Sequence, residues 1–200
     1  EVTVGPGGFV VTRDCREPVP PKGGGGEQRP SCECCTIFVG EDGDVPDLRA
    51  ALAALPAHAL SPATPVRICL LPGDHLIPDG LEINRPNTRI VGCFPRSRLI
   101  VRGAGLRFTA DATGIEEVVV IGGAERGMVG FEGMSDGFAR ACQLLAVEGT
   151  LALTANKVRR LSLTGNRLEG AGIMLFGGSR EVEIEGNAIE KFRTSAIVID

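Results

Sequence analysis

Short apolar segments recur along the chain from residue 66 onward, and glycine or asparagine follows most of them. Within most segments apolar and polar residues alternate, which is the pattern of a β-strand with one buried and one exposed face. Beyond residue 55, apolar residues recur at helical spacing only over 137–145. The pattern therefore predicts a series of short strands, at 66–73, 81–83, 88–92, 98–103, 106–108, 118–122, 151–153, 161–163, 173–176, 182–184 and 197–199.

Two of these strands are copies of one motif. Leu-x-Leu-x-Gly-Asn at 161–166 returns as Val-x-Ile-x-Gly-Asn at 182–187, which is 21 positions later. Looser copies are separated by 22 and 24 residues, and 118–122 precedes 161–165 by 43 residues, about two periods. The stretch 128–145 between them is irregular, which predicts an inserted loop. A period of this length, with glycine and asparagine corners, is typical of a stacked solenoid.

A stacked solenoid places equivalent residues of successive coils above one another. Asn166 and Asn187 are therefore expected to stack at one corner, with their amides bonding along the axis and their backbone in the left-handed conformation. A leucine-rich horseshoe is the main alternative, but its consensus spacing and helical return segments are not found in this sequence. The apolar residues of the repeat are expected to point inward as ladders, formed by Leu161 with Val182 and by Leu163 with Ile184.

The N-terminal part of the chain differs from the repeat. Residues 1–17 are predicted to form lead-in strands, and 18–31, with four consecutive glycines, are predicted to be a Pro/Gly-rich linker. Apolar residues at helical spacing over 46–55 predict a helix, with Asp44 as its N-cap and a proline in its first turn. Residues 32–200 are predicted to form one parallel β-helix domain that is truncated at its C-terminus.

The start of the repeat resembles the pectin-lyase-like right-handed parallel β-helix superfamily. The resemblance rests on DLRAALAALP at 47–56, VRICLLPG at 66–73 and LEINRPNTRIVG at 81–92, and it covers about residues 36–200. It implies an all-β solenoid, a right-handed parallel β-helix with an N-terminal capping helix over its open end. Members include pectate lyases, polygalacturonases, alginate epimerases and phage tailspikes, while others are shafts or adaptors, so the resemblance does not decide function.

Composition narrows the classes of partner. The chain has 21 Lys and Arg against 25 Asp and Glu, and this lack of basic excess argues against nucleic-acid binding. No apolar run is long enough to cross a bilayer. Tyrosine and tryptophan are absent, which argues against a site that holds sugars by ring stacking. The chain does not begin with a signal segment, and both the cytoplasm and a secreted or assembled particle remain open as its location.

Three alternate glutamates are the strongest candidates for a catalytic cluster. Glu181, Glu183 and Glu185 share one face of a strand, and an exposed row of carboxylates is what the resemblance implies for a catalyst. Their counterparts one coil earlier are Arg160, Ser162 and Thr164, so a Glu181–Arg160 pair is expected and no acid matches another acid. The favoured interpretation is therefore the solvent-exposed face of a strand whose other face is apolar.

The cysteines give a second candidate site. Cys15, Cys32, Cys34 and Cys35 are close in sequence, and thiolates at such spacing can bind Zn²⁺, which requires four nitrogen or sulfur ligands. A Cys-x-x-Cys pair occurs only once, and no partner pair follows it. A disulfide or redox role and simple apolar packing therefore stay open beside zinc. The seven cysteines cannot all pair internally. Because the sequence shows no signal segment, a reducing compartment is the simpler expectation.

These observations lead to two functional hypotheses. The first is a non-catalytic structural or adaptor β-helix module of a larger, multidomain bacterial protein, whose partners are other domains or subunits of its assembly. The alternative is a polysaccharide-acting lyase, hydrolase or epimerase whose catalytic coils lie beyond residue 200. Neither hypothesis requires a cofactor. The only candidate is zinc, at the N-terminal cysteines.

Overall fold

The computed structural model describes residues 35–55, 65–93, 96–147, 150–170, 172–191 and 197–200. The predicted lead-in strands and linker lie outside these residues, which contain nineteen short strands and one helix. Their bounds are β1 (Ile37–Val39), α1 (Leu48–Ala54), β2 (Val66–Leu70), β3 (Gly73–Ile77), β4 (Leu81–Ile83), β5 (Thr88–Val91), β6 (Ser97–Val101), β7 (Leu106–Phe108), β8 (Gly114–Glu116), β9 (Val119–Gly122), β10 (Val129–Glu132), β11 (Ser135–Arg140), β12 (Gln143–Ala146), β13 (Leu153–Asn156), β14 (Arg159–Thr164), β15 (Arg167–Glu169), β16 (Ile173–Phe176), β17 (Arg180–Glu185), β18 (Ala188–Glu190) and β19 (Ile197–Ile199).

Every third strand returns to the same sheet. Sheet A has the order β1-β2-β5-β8-β11-β14-β17, sheet B contains β3 and every third strand to β18, and sheet C contains β4 and every third strand to β19. All paired strands are parallel. The chain is therefore a parallel β-solenoid of about five turns, which confirms the predicted all-β solenoid.

The register of sheet A confirms the predicted ladders. Leu161 pairs with Val182 and Leu163 with Ile184, in parallel strands of one sheet. The two leucines are buried, and their partners are half-buried against the same apolar interior. Each such side chain removed from water contributes roughly 1.5–3 kcal/mol, so stacking of turns supplies the core that a single turn lacks.

The prediction for the middle of the repeat was wrong. Residues 128–145 form no helix or inserted loop but the regular strands β10, β11 and β12. Val120, which the sequence had matched to Leu163, lies in sheet B opposite Leu144. The residue two turns before Leu163 in its own ladder is Ile115, through Ala139. The strands of both sheets carry alternating apolar residues, so the motif alone does not identify the sheet.

The sharp corners of the solenoid are made by residues with left-handed backbone. One corner, at the start of the sheet A strands, repeats non-glycine residues with φ between 55° and 61° in five successive turns. At the opposite end of these strands Gly165 (φ 64°) and Gly186 (φ 62°) take this conformation, so the left-handed residue is glycine and not the asparagine that follows. The five residues of the first corner are Asn87, Ala112, Asp136, Arg160 and Glu181.

The N-cap of the helix lies three residues later than predicted. Asp47 caps α1, because its side chain accepts a hydrogen bond from the Ala50 N–H at 2.7 Å. Asp44 instead accepts a bond from the Phe38 N–H at 2.9 Å and closes the turn after β1. Leu48 and Ala51 bury one side of the helix against the interior apolar cluster. Among the described residues, no helix has the length and apolar character needed to cross a membrane.

Candidate functional site on the outer face of sheet A

The outer face of sheet A carries a gradient of charge along the solenoid. Side chains that point outward from one strand lie beside those of the next turn, about 4.8 Å away. The early turns present arginines, and the last described turn presents three glutamates. One row across the sheet consists of Arg67, Arg89, Gly114, Phe138, Ser162 and Glu183, and the neighbouring row of Cys69, Val91, Glu116, Arg140, Thr164 and Glu185.

The three candidate glutamates face hydroxyls and an arginine. Glu183 lies opposite Ser162 and Glu185 opposite Thr164, as the sequence predicts, and the two hydroxyl oxygens are 3.0 Å apart. The expected Glu181–Arg160 pair is not formed. Glu181 instead accepts from Nε of Arg159 at 3.3 Å. The carboxylate row therefore has no carboxylate facing it from the preceding strand.

Arg160 is engaged by an aspartate that the sequence analysis missed. Its Nε and Nη2 donate to Oδ1 and Oδ2 of Asp136, each at 2.6 Å, in a two-point pair between successive turns. The hydrogen bond from Arg160 lowers the pKa of Asp136, and the same bond raises the pKa of Arg160. Asp136, Arg160 and Glu181 follow one another at spacings of 24 and 21 residues, the same period as the ladders, and this spacing is the signal that could have identified Asp136.

These charged residues surround a shallow groove of about 250 Å³. Arg140 and Phe138 form one side of the groove, and Glu181 and Glu183 form the other. The Asp136–Arg160 pair also lines the groove and connects two successive turns. Cations and anions are thus interleaved rather than grouped. The groove offers hydrogen bonds to a polar ligand, but its carboxylates are individually matched to arginines or hydroxyls.

An aromatic ring lies flat on the sheet beside this groove. Phe138 extends over Gly114 of the preceding turn, where an added Cβ would lie 2.7 Å from two of the ring carbons. The guanidinium groups of Arg89 and Arg140 lie 5.3 Å and 5.1 Å from the ring centroid, within the range of cation–π attraction. Phe138 is only 6% exposed, so the arginines and not the ring form the accessible surface here.

The cysteine candidates separate into two groups. Cys35 forms a disulfide with Cys69, and the bond lies in a small apolar cluster with Val91 on the outer face of sheet A. Cys35 therefore has no thiolate to offer a metal in this structure. Cys15, Cys32 and Cys34 lie outside the described residues, so zinc binding by them stays a prediction. Within the ranges that the structure describes, no three His, Cys, Asp or Glu side chains are grouped to hold a metal ion.

The corner asparagines hold consecutive turns together. The Asn187 Oδ1 accepts from the Asn166 N–H at 2.8 Å and from the Asn166 Nδ2 at 2.9 Å. Asn166 is buried, donates to the Ala139 carbonyl at 2.8 Å and accepts from the Cys142 N–H at 3.0 Å. Each amide thus bonds to backbone of the preceding turn, and the two amides bond to each other, which is a structural function.

The side chains of His75 and Cys142 are both buried and hydrogen-bonded within the fold. The buried His75 forms a hydrogen bond from Nε2 to the Leu71 carbonyl at 2.8 Å, across the corner between sheets A and B. Burial raises the pKa of the Cys142 thiol to about 12, so this thiol stays protonated and unreactive near neutral pH. His58 lies outside the described residues.

Comparison with protein-family models, with curated proteins and with solved structures found no match to this chain. The function is therefore inferred from the fold and the surface geometry alone. They define a parallel β-solenoid whose longest sheet presents a surface of mixed charge.

Proposed function

We propose that this chain is a non-catalytic structural or adaptor module of a larger multidomain protein, with other domains or subunits as its partners. The observation that carries the proposal is that the acids of this surface lie beside arginines or hydroxyls rather than beside other acids of a neighbouring strand. Asp136 is paired with Arg160, Glu181 with Arg159, and Glu183 lies opposite Ser162. Acid–base cleavage of a sugar polymer uses two carboxylates that flank the bond from separate positions, and the preceding strand presents no carboxylate opposite the glutamate row.

We further propose that the solenoid is right-handed and of the pectin-lyase-like kind, with α1 covering its N-terminal end. Parallel crossover connections are right-handed in about 98% of cases, because right-twisted strands pack back onto the sheet in that sense. The resemblance of residues 47–56 to the capping helix of that superfamily agrees with the burial of Leu48 and Ala51. A terminal element of this kind shields strand edges that would otherwise aggregate.

The alternative, a polysaccharide-acting lyase, hydrolase or epimerase, draws on a separate observation. Glu181, Glu183 and Glu185 alternate along one strand, so neighbours are spaced about 6.6 Å apart. Side chains on positions this far apart can place their carboxylates within the range of separations used by inverting glycosidases. Arg140 and Arg160 beside them would suit an acidic sugar. Completion of such a site would require further acids on coils that follow residue 200.

An assay of residues 1–200 on uronate polymers separates the two functions. Polygalacturonate and alginate are incubated with the purified chain, with and without Ca²⁺, and reducing ends and unsaturated products are measured. We expect no product above a heat-inactivated control. Product that is abolished by Glu183→Gln but retained by the control Glu190→Gln, which lies on sheet B, would overturn the proposal.

The sequence of the full-length protein gives a second test. Asp or Glu recurring with Arg or Lys at equivalent positions of later coils would support the enzyme, because successive turns place such residues side by side. A further folded domain or a fibre repeat after the solenoid would support the adaptor.

A further inference from the structure

Two exposed arginines of sheet A stack on one aromatic ring without an acidic partner. The guanidinium carbons of Arg89 and Arg140 lie 5.3 Å and 5.1 Å from the centroid of the Phe138 ring. Within the described part of the chain, neither arginine forms an ion pair or a side-chain hydrogen bond. Glu116, which is opposite Arg140 in the neighbouring strand, is paired instead with Arg67 at 3.6 Å. The two positive charges are therefore unmatched.

The ring holds both guanidinium groups in place. Phe138 is almost fully buried and lies over Gly114, where an added Cβ would collide with the ring. A guanidinium group that stacks on a ring still presents N–H donors at its edge, in a fork that matches a carboxylate. Because both groups are already positioned on one ring, an acidic ligand can bind them with little further loss of side-chain entropy.

Unmatched negative charge lies at the other end of the same face. Glu183 and Glu185 on β17 are exposed, and the described residues offer neither of them an ion pair or a side-chain hydrogen bond. The register places Glu183 in the row of Arg89, four strands away, and Glu185 in the row of Arg140, two strands away. At 4.8 Å per strand, these separations are about 19 Å and about 10 Å. The face thus has a positive and a negative end at a fixed spacing.

The charges of this face favour a ligand that carries both signs. A uniformly acidic polymer would be attracted by Arg89 and Arg140 but repelled by Glu183 and Glu185. An extended peptide rises about 3.3 Å per residue, so an acid and a base six residues apart are separated by about 20 Å. An even interval also places both side chains on the same side of the peptide. Such a peptide matches the distance between Arg89 and Glu183.

The size of the face favours an extended segment over a folded partner. The five strands from β5 to β17 have at most six residues each, which gives a surface of roughly 500 Å². A stable complex between two folded proteins buries about 800 Å² on each partner. A second copy of the chain would therefore find too little surface here, whereas a segment of about seven residues spans the face from end to end.

We propose that the outer face of sheet A binds an extended peptide segment of mixed charge from another domain or subunit. An acidic side chain of the segment contacts Arg89 and Arg140, and a basic side chain about six residues along it contacts Glu183 and Glu185. Between these ends the segment crosses the strands above Ser162. This inference rests on the proposed adaptor function and specifies the chemistry of the partner.

Titration of the purified chain with a synthetic peptide tests the proposal. The peptide has glutamate at its first position, lysine at its seventh, and serine and threonine between them. A control peptide has the same composition with glutamate and lysine adjacent. Shifts of backbone amide resonances of the isotope-labelled chain, at low salt, report binding even when the dissociation constant is millimolar. We expect saturable shifts on β5, β11 and β17, and about fivefold weaker binding of the control peptide.

Variants of the chain identify the residues that bind. Arg89→Gln with Arg140→Gln should weaken binding of the first peptide about fivefold. Arg102→Gln, at an exposed arginine that follows β6 of sheet B, is the matched control and should leave binding unchanged. Arg89→Glu with Arg140→Glu should reject the first peptide and bind a peptide with lysine at both positions, because the charge of that end is reversed. Amide resonances of sheets B and C that keep their positions show that each variant is folded.

Three results would overturn the proposal. The first is the absence of saturable shifts at millimolar peptide with the chain folded. The adaptor function would then stand without this surface, whereas uronate cleavage would contradict the adaptor function itself. The second is tighter binding of oligogalacturonate than of the peptide, which would identify a uniformly acidic ligand. The third is a dimer in sedimentation that dissociates in the Arg89→Gln and Arg140→Gln variant, which would identify a second copy as the occupant.

Discussion

Two arginines of this solenoid bind carboxylates in opposite surroundings. Arg107 lies on sheet C with its side chain 9% exposed, and it donates from Nη2 to the Gly127 carbonyl at 3.0 Å, while its Nε is 3.7 Å from Glu132. Arg160 lies on the corner of sheet A with its side chain 46% exposed and two bonds of 2.6 Å to Asp136. Desolvation lowers the pKa of Arg107, whereas the Asp136 hydrogen bond raises the pKa of Arg160.

Hydrogen-bond length alone therefore does not measure how much a pair contributes to stability. The longer contacts of Arg107 join three turns, since its Nη1 also approaches Thr154 Oγ1 at 3.4 Å, and their loss would leave buried groups without partners. The shorter contacts of Arg160 are surrounded by water, where exposed pairs contribute little. Loss of the Arg107 contacts on sheet C should therefore cost more stability than loss of the exposed Arg160–Asp136 pair on sheet A.

The largest effect is expected from Gly114→Ala, which tests whether a glycine makes room for Phe138. The new Cβ would collide with the ring and the carbonyl oxygen of Phe138, and neither can move without disturbing the strand pairing. Overpacking of this kind costs about 3 kcal/mol. The free energy of unfolding, measured in urea, should fall accordingly. Gly123→Ala serves as the control for the loss of a glycine, because its backbone is not left-handed and an added Cβ would meet only side chains, the nearest atom being Cγ2 of Thr150 at 3.0 Å.

Arg107→Leu is expected to have the next largest effect. It removes the donors to the Gly127 carbonyl and to Thr154 but keeps an apolar side chain over Gly130. The expected loss is about 2 kcal/mol in the free energy of unfolding. Arg107→Lys should recover only part of this loss, because a single ammonium group does not reproduce the planar fork. Full stability of Arg107→Leu would contradict the comparison.

Ala112→Gly is expected to stabilise the chain slightly. Ala112 has φ 56°, which costs a residue with a side chain roughly 1–2 kcal/mol. Glycine relieves this strain but gives the unfolded chain more freedom, at about 0.4–1 kcal/mol. A rise in the free energy of unfolding of a few tenths of a kcal/mol is expected. Thermal unfolding, compared with Ala139→Gly inside β11, where a loss is expected, provides the measurement.

The smallest effect is expected from Asp136→Asn at neutral pH. The pair with Arg160 is exposed, so urea unfolding should barely change. Its pH dependence is nevertheless distinctive. Because the folded-state pKa of Asp136 is lowered, its contribution is present above the unfolded pKa of about 3.9 and is lost as pH falls through the folded value. Asp136→Asn should therefore flatten the acid side of the stability profile.

The sequence predicted the parallel solenoid because two neighbouring turns share a nearly identical motif. Leu161 and Val182 could be aligned without coordinates, and they do pair. Alignment failed at Val120, because sheet B strands carry the same alternation and nothing in a single strand identifies its sheet. It also failed at 137–145, where a corner at Ala141 separates two strands and sets apolar residues at helical spacing.

The candidate site could be predicted only in part for a similar reason. The carboxylate row follows from alternation along one strand, whereas its partners depend on register across the corner. Arg160 and Glu181 both have left-handed backbone at this corner. Glu181 therefore accepts its hydrogen bond from Arg159, the residue before Arg160. The Cys35–Cys69 bond was equally beyond the sequence, because spacing does not reveal which cysteines pair.

Cross-linking across β14 and β17 tests the central claim, that the register sets each acid of sheet A opposite a non-acidic residue. With Cys15, Cys32, Cys34, Cys93 and Cys142 replaced by alanine and the Cys35–Cys69 bond kept, Ser162→Cys with Glu183→Cys should form a disulfide readily under mild oxidation, because these residues are paired. Ser162→Cys with Glu190→Cys, a position on sheet B, should not. Equal yields of the two bonds, or a bond only in the second variant, would contradict the register and the function inferred from it.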